Sequence, residues 1–474
     1  MSDTHQKIKN NFSKISEQWD QDIIPQLENY IRIPNKSPLF DKNWKANGHI
    51  DRAMQLIKNW CEKQPIKNMK IELLEIDNRT PVLFIDIPGD SDETILLYGH
   101  MDKQPEMTGW FDGLDAWTPI IKDGKLYGRG GADDGYATFS ALNAIAYLQS
   151  LKIPHAHCVI LIEACEESGS YDLPAYLELL KKQIGNPDLI ICLDSESGNY
   201  EQLWGTTSLR GIVGGTLEIN TLENGIHSGI NSGVVPSVFH VLRQLLDRIE
   251  DPHNGKINVE ALHVKIPEHR YEEARAAAKT LGDNVTKGIP FLEGVQPVCK
   301  DGAELILNRT WRPALSIVGA DGIPAIANAG NVTLPSLSVK LSMRIPPTCN
   351  VKNASAALKE MLESNPPFNA KVSYHAEDHG SGWNSPELAD WLANACDHAS
   401  ELFYGKKAAY LGIGASIPFM GMLGEMFPKA QYLITGVLGP KSNAHGPNEF
   451  LHIDYVKKLT GCVASVIAAH FEKS

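Results

Sequence analysis

Short runs of Val, Ile and Leu punctuate the first half of the chain: Val82-Leu83-Phe84-Ile85, Thr94-Ile95-Leu96-Leu97-Tyr98, Val159-Ile160-Leu161-Ile162 and Leu189-Ile190-Ile191-Cys192-Leu193. Each is too short for an average helix, and each is continuously apolar, as expected of strands covered on both faces. Helical patterns separate several of them. From Ala137 to Leu151, for example, Leu142, Ile145, Leu148 and Leu151 share one face. A helical stretch from about Asn11 to Pro65, with Ile23, Leu27, Ile31, Met54, Ile57 and Trp60 at three- and four-residue spacing, precedes the first run. Buried strands alternating with helices predict an α/β domain around a mainly parallel central sheet.

The pattern changes after Arg210-Gly211. A strand-like Gly215 to Ile219 is followed by helical segments at Pro236 to Ile249 and Glu268 to Leu281, then by Val339 to Ile345, which alternates like a half-buried strand. This predicts a smaller α+β domain over 209-378, inserted between two parts of the first domain, 1-208 and 379-474. Gln431 to Leu438 reads as a further strand of the first domain. A chain of 474 residues is long enough for two to three domains.

Lys and Arg total 44 against 57 Asp and Glu, a net charge of -13. Such an acidic surface repels phosphate backbones and anionic lipid, which argues against nucleic acid and membrane surfaces as partners. No apolar stretch is long enough to span a bilayer, and the polar segment from Met1 to Trp19 has no secretory h-region, so a cytoplasmic location is expected. The eight cysteines include no C-x-x-C pair, which argues for reduced, mostly buried thiols.

In open α/β sheets, ligands bind beyond the carboxyl ends of the strands. His100-Met101-Asp102 follows one apolar run, Glu166-Glu167 another and Asp194 a third; a loop after Leu438 carries His445, and Gly128-Arg129-Gly130-Gly131-Ala132 leads into Asp133-Asp134. Each piece alone has an ordinary explanation: a core or surface His–Asp pair, a solvated Glu-Glu, a tight turn or phosphate cradle at the glycines. Gly128-x-Gly130-Gly131 lacks both the Lys-Ser/Thr ending of a P-loop and the spacing of a dinucleotide fingerprint. Together they place two imidazoles and several carboxylates toward one crevice, where the anions would repel one another unless cations were bound. Mixed His and carboxylate ligands suit Zn²⁺, and also Mn²⁺ or Co²⁺, in a hydrolytic two-metal site.

This combination resembles the M20 family of metallopeptidases, which includes cytosolic non-specific dipeptidases, carboxypeptidases and N-acyl amino acid deacylases. The resemblance is carried by Tyr98-Gly99-His100-Met101-Asp102, Gly128 to Asp134, Glu166-Glu167-Ser168-Gly169-Ser170, Asp194 and Ala444-His445-Gly446-Pro447-Asn448-Glu449. Leu209-Arg210-Gly211 and Gly225-Ile226-His227-Ser228-Gly229 lie between them. The chain is most similar to the dipeptidase, carnosinase-like branch, given its inserted domain and an Asp at 194.

The resemblance implies two divalent ions, zinc first among them. His100 and Asp194 would hold one, Glu167 and His445 the other, and Asp133 would bridge. Asp102 would accept the second N–H of the His100 imidazole, and Glu166 would be the general base acting on a metal-bridged water. From the inserted lid or dimerisation domain, His227 would stabilise the oxyanion across a homodimer; a capping or core histidine is the alternative. Arg344 would pair with the substrate's free carboxylate, or else form a surface salt bridge, and Asn331 and Ser416 would hydrogen-bond the same end. The Asp133–Asp134 bond would be cis. Where many relatives carry Lys-Gly, two and three residues after the bridging Asp, this chain has Gly135-Tyr136. The implied activity is cleavage of dipeptides or of the C-terminal residue of short peptides. Removal of an acyl group from an N-acyl amino acid, with the same metals, is the alternative. A non-catalytic scaffold that keeps the fold would be expected to have lost Glu166 or a ligand, and none is missing.

Overall fold

The four apolar runs lie in strands Val82–Ile87, Thr94–His100, His157–Glu163 and Leu189–Cys192, almost wholly buried, in a computed structural model that describes residues 3–473. Two compact units make up the chain: Met1–Thr207 with Ser385–Leu411 and Met422–Ser474, and Ser208–Asn384 with Gly412–Gly421.

In the first unit the strands form a large mixed sheet in the order Lys70–Leu74, Val82–Ile87, His157–Glu163, Thr94–His100, Leu189–Cys192, Gln431–Ile434, Trp204–Leu209. The four central strands, from His157–Glu163 to Gln431–Ile434, pair in parallel. The pairings on either side are antiparallel. Among the central strands, Thr94–His100, His157–Glu163 and Leu189–Cys192 are almost wholly buried, as continuously apolar strands covered on both faces are. Lys70–Leu74, at the edge, carries no fully buried residue. The last expected strand ends early, at Ile434. Beyond it Gly436 packs so tightly that a Cβ there would lie 2.0 Å from the Ser195 carbonyl oxygen, and regular pairing gives way to an isolated parallel bridge between Glu196 and Leu438. Helices Tyr136–Ser150 and Ile453–Glu472 and the helical N-terminal segment join the sheet in one core that includes Trp19, Phe139 and Leu459. A small antiparallel sheet of Ile120–Lys122, Lys125–Tyr127 and Phe450–His452 belongs to the same unit.

In the second unit an antiparallel sheet runs in the order Ala314–Asp321, Ser336–Ile345, Gly211–Asn220, Lys371–Gly380. Ser336–Ile345 alternates strictly, with Leu337, Val339, Leu341, Met343 and Ile345 buried. That period of two leaves Arg344 on the face away from this core. Helices Val238–Ile249 and Val351–Glu363 contribute to the core that those residues enter. The outer strand, Ala314–Asp321, exposes Ile317 and Val318. All eight thiols are free, and every one except Cys299 is buried. Among the described residues no helix is long and apolar enough to cross a membrane.

Candidate metal centre

His100 is the last residue of its strand and pairs in register with Glu163. Its Nε2 lies 3.3 Å from Asp133 Oδ1, 3.8 Å from Asp194 Oδ2 and 3.9 Å from Glu166 Oε2. Its Nδ1 is 3.2 Å from the main-chain oxygen of Asp102 and 3.5 Å from the Asp102 carboxylate. That carboxylate accepts the main-chain N–H of Glu166 at 3.1 Å and of Glu167 at 3.0 Å. The two glutamates begin a single 3₁₀ turn, Glu166–Ser168, whose first amides have no partner within the turn, and a buried carboxylate serves them well. Asp102 therefore holds the glutamate turn with its side chain and meets the imidazole mainly through its main-chain oxygen.

Asp133 follows the glycine-rich loop, and its peptide bond to Asp134 is cis. One carboxylate oxygen faces His100; the other lies 3.1 Å from His445 Nε2, which is also 3.3 Å from Glu167 Oε2. Gln104 donates to that same Glu167 oxygen at 2.5 Å. Two candidate ligand groups result, His100–Asp133–Asp194 and Asp133–Glu167–His445, with the atoms of each within 4.8 Å of one another. They meet at Asp133. His100 Nε2 and Glu167 Oε1 are buried without a hydrogen-bond partner, as atoms reserved for a cation would be. The donor set, imidazole nitrogen plus carboxylate oxygen, fits a divalent metal of the zinc, manganese or cobalt type.

Electrostatics point the same way. Burial raises the Glu166 carboxyl well above its usual range, although His100 pulls it down, and Asp194, Asp102 and Glu163 add to the rise. Burial, then Asp133 and Glu166, raise Glu167, and burial pushes Asp194 up to about 6. Burial also opposes ionisation of Asp133, but His100 and His445 outweigh it and hold that carboxyl below its ordinary value. So many anions in one buried place are tolerable once positive charge is supplied.

Several residues beside the centre were not picked out from the sequence. Glu449, wholly buried, accepts the main-chain N–H groups of Gly130 at 3.0 Å, Ala132 at 3.1 Å and Asp133 at 3.2 Å. The glycine-rich loop is thus an anion nest filled by the chain's own carboxylate. Arg129 donates to Glu449 at 2.7 Å, to the Gly446 carbonyl at 2.6 Å and to the Pro105 carbonyl at 3.0 Å. Both residues stand inside the quoted motifs, but their pairing spans 320 positions and leaves no local signal. Tyr136, where relatives carry the Gly of Lys-Gly, is buried and donates its phenol to the carbonyl of Leu193, next to Asp194.

The substrate-side candidates all fall in the second unit. His227 is exposed and caps a short helical turn, its Nδ1 accepting the N–H of Gly229 at 3.1 Å. With Nδ1 an acceptor, Nε2 carries the proton and can donate. The strand pair Ile226–His227 and Val332–Thr333 brings Asn331 beside it, the Asn331 carbonyl accepting from the N–H of Ser228 at 2.9 Å. Arg344 and Ser416 also come together, with Arg344 Nη1 donating to Ser416 Oγ at 2.9 Å. Among the described residues no carboxylate pairs with Arg344, so the salt-bridge alternative is not realised there. Burial lowers the pKa of the Arg344 guanidinium.

A family profile described as Peptidase family M20/M25/M40 matches residues 96–469. The cysteinylglycine-S-conjugate dipeptidase of Corynebacterium striatum is 26% identical over 387 residues, covering 79% of this chain and 80% of the relative. The Cys-Gly metallodipeptidase of Saccharomyces cerevisiae is 27% identical over 470 residues, covering 93% and 94%. Among solved structures, human carnosine dipeptidase 1 superposes with a TM-score of 0.77 at 20% identity over 98% of this chain and 99% of its own, a likeness of fold.

Proposed function

We propose that this chain, which belongs to peptidase family M20/M25/M40, hydrolyses the peptide bond of dipeptides in a metal-dependent reaction. The observation that carries the reading is the meeting of two His–carboxylate groups at Asp133, with Glu166 3.9 Å from His100. His100, Asp133 and Asp194 would hold one divalent ion and Asp133, Glu167 and His445 the other, with zinc the ion we favour. Such ions polarise a carbonyl and make a water acidic enough to react near neutral pH.

The residues do the rest. Glu166 takes a proton from the attacking water and returns it to the leaving amine. Its position is set by the Asp102 carboxylate beneath its amide. Asp133, shared, fixes the spacing of the two ligand groups. In the second unit, His227 offers Nε2–H to the oxyanion. Arg344, presented by Ser416, takes the substrate's free carboxylate, and Asn331 hydrogen-bonds the same end. We assign the catalytic role to 1-208 with 379-474 and the lid and dimerisation role to 209-378. The exposed apolar strand Ala314–Asp321, with Ile317 and Val318, supports a homodimer built on that second part. Free, mostly buried cysteines support a reducing, cytoplasmic setting.

Incubating the zinc-loaded protein with dipeptides, tripeptides and N-acyl amino acids, followed by mass spectrometry, tests this reading. Chelator-sensitive loss of dipeptides is the expected result. Loss of N-acyl compounds alone would move the protein to the deacylase reading.

A further inference from the structure

The two ligand groups rest on unequal supports. His100 ends an inner strand paired on both sides, and Asp194 lies two residues beyond the neighbouring strand, where Leu193 is bonded to Tyr98 and Tyr136. His445 has no such frame. It stands in an irregular loop where Lys441, Asn443, His445 and Asn448 all take positive φ, and its side chain is 58% exposed. Asn and His tolerate left-handed backbone better than most residues, but four such positions in one short loop still need outside contacts to fix them.

Those contacts converge on one buried ion pair. The strand Phe450–His452 pairs with Lys125–Tyr127 so that Phe450 faces Tyr127, and this register sets Glu449 beside Gly128. From there the Glu449 carboxylate enters the nest of amides at 130–133, and Arg129 reaches back to the carbonyl of Gly446, the residue after His445. Asn448 adds a strap, accepting the Phe111 N–H at 2.6 Å.

We propose that Arg129 and Glu449 are positioning residues that hold the His445 loop against Asp133, and that the metal position of Asp133, Glu167 and His445 depends on them more than the position of His100, Asp133 and Asp194. The inference rests on the two-metal reading of the site. Groups that orient metal ligands typically change affinity about 10–100-fold when replaced. Here the loss falls on one ion of two.

The test titrates chelator-stripped protein with Co²⁺, followed by calorimetry and by the visible absorption of the bound ion. Wild type takes two equivalents. Glu449→Gln and Arg129→Lys are expected to bind the first equivalent within about threefold of wild type and the second about 10–100-fold more weakly. Equal weakening of both equivalents, or of neither, overturns the proposal. A wild type that binds fewer than two ions overturns the two-metal reading and this inference with it. If neither variant folds, hydrogen exchange on metal-free wild type decides. Amides of Gly130, Ala132 and Asp133 as protected as those of Thr94–His100 support the pair, and free exchange there overturns it.

Discussion

Asp102→Asn separates orienting an imidazole from holding the glutamate turn. The Asp102 carboxylate is fully buried and accepts two main-chain N–H groups, from Glu166 and Glu167. Asparagine keeps one acceptor and turns an NH₂ toward the other amide, so one charge-assisted bond is lost and the survivor loses its charge. A hydrogen bond to a charged group contributes about 1.5–3 kcal/mol and a neutral one about 1, which puts the total loss at about 2–5 kcal/mol. With a urea m-value of about 3 kcal/mol per molar, the unfolding midpoint of chelated protein falls by about 0.7–1.7 M. Since the displaced turn carries both the proposed base and a proposed ligand, kcat at saturating metal should fall about 10–100-fold. Far-UV circular dichroism across a urea series and dipeptide turnover measure the two effects. A midpoint within about 0.2 M of wild type, with kcat unchanged, would refute the reasoning.

Other substitutions probe the remaining assignments. Glu166→Gln should abolish turnover while two metal ions stay bound by elemental analysis; persistent turnover would remove Glu166 from its role as base. His227→Ala should lower kcat about 10²–10³-fold as the loss of one oxyanion donor, and mixed dimers with a Glu166 variant should regain activity if the histidine works across subunits. Glu163, buried under the Tyr98 hydroxyl, is raised from 4.5 to about 7, mainly by burial. The folded, metal-free protein keeps this proton between pH 4.5 and about 7 when the unfolded chain has lost it, so stability falls as pH rises through that window, by about 3 kcal/mol in all. Glu163→Gln should flatten this slope in urea titrations at stepped pH; an unaltered slope would place the titration elsewhere.

What could be read in the sequence follows from what local chemistry encodes. Continuous apolar runs announce two-sided burial, so the central strands were visible, and alternation from Val339 to Ile345 announced a one-sided strand. Direction is not written in an apolar run, which is why the antiparallel flanks had to be seen. Nor does local sequence say which unit a segment joins: Gly412–Gly421, with Ser416, goes with the second unit although 379-474 reads as the first. The strand-end rule singles out His100, Glu166, Glu167 and Asp194, which the structure brings close together, because β-carboxyl ends are positions in the fold rather than in any one motif. Glu449 escaped because its partners are amides, which every residue carries. Asp102 lies beside the His100 imidazole, but its carboxylate is engaged by amides 64 and 65 residues further along the chain.

The register between Phe450 and Tyr127 also sets a timetable. Asp133 and the carboxylate that accepts its amide are 316 residues apart. At about 5–20 residues per second, the ribosome needs roughly 15–60 s to travel between them. For most of that interval, once residue 194 has been added and until residue 445 is, the growing chain carries His100, Asp133, Glu167 and Asp194 but no His445. On the proposed two-metal reading half of the site then exists, without the loop that completes it. On that reading the chain stays inert toward peptides until His445 has been made and its loop has docked on the glycine-rich turn.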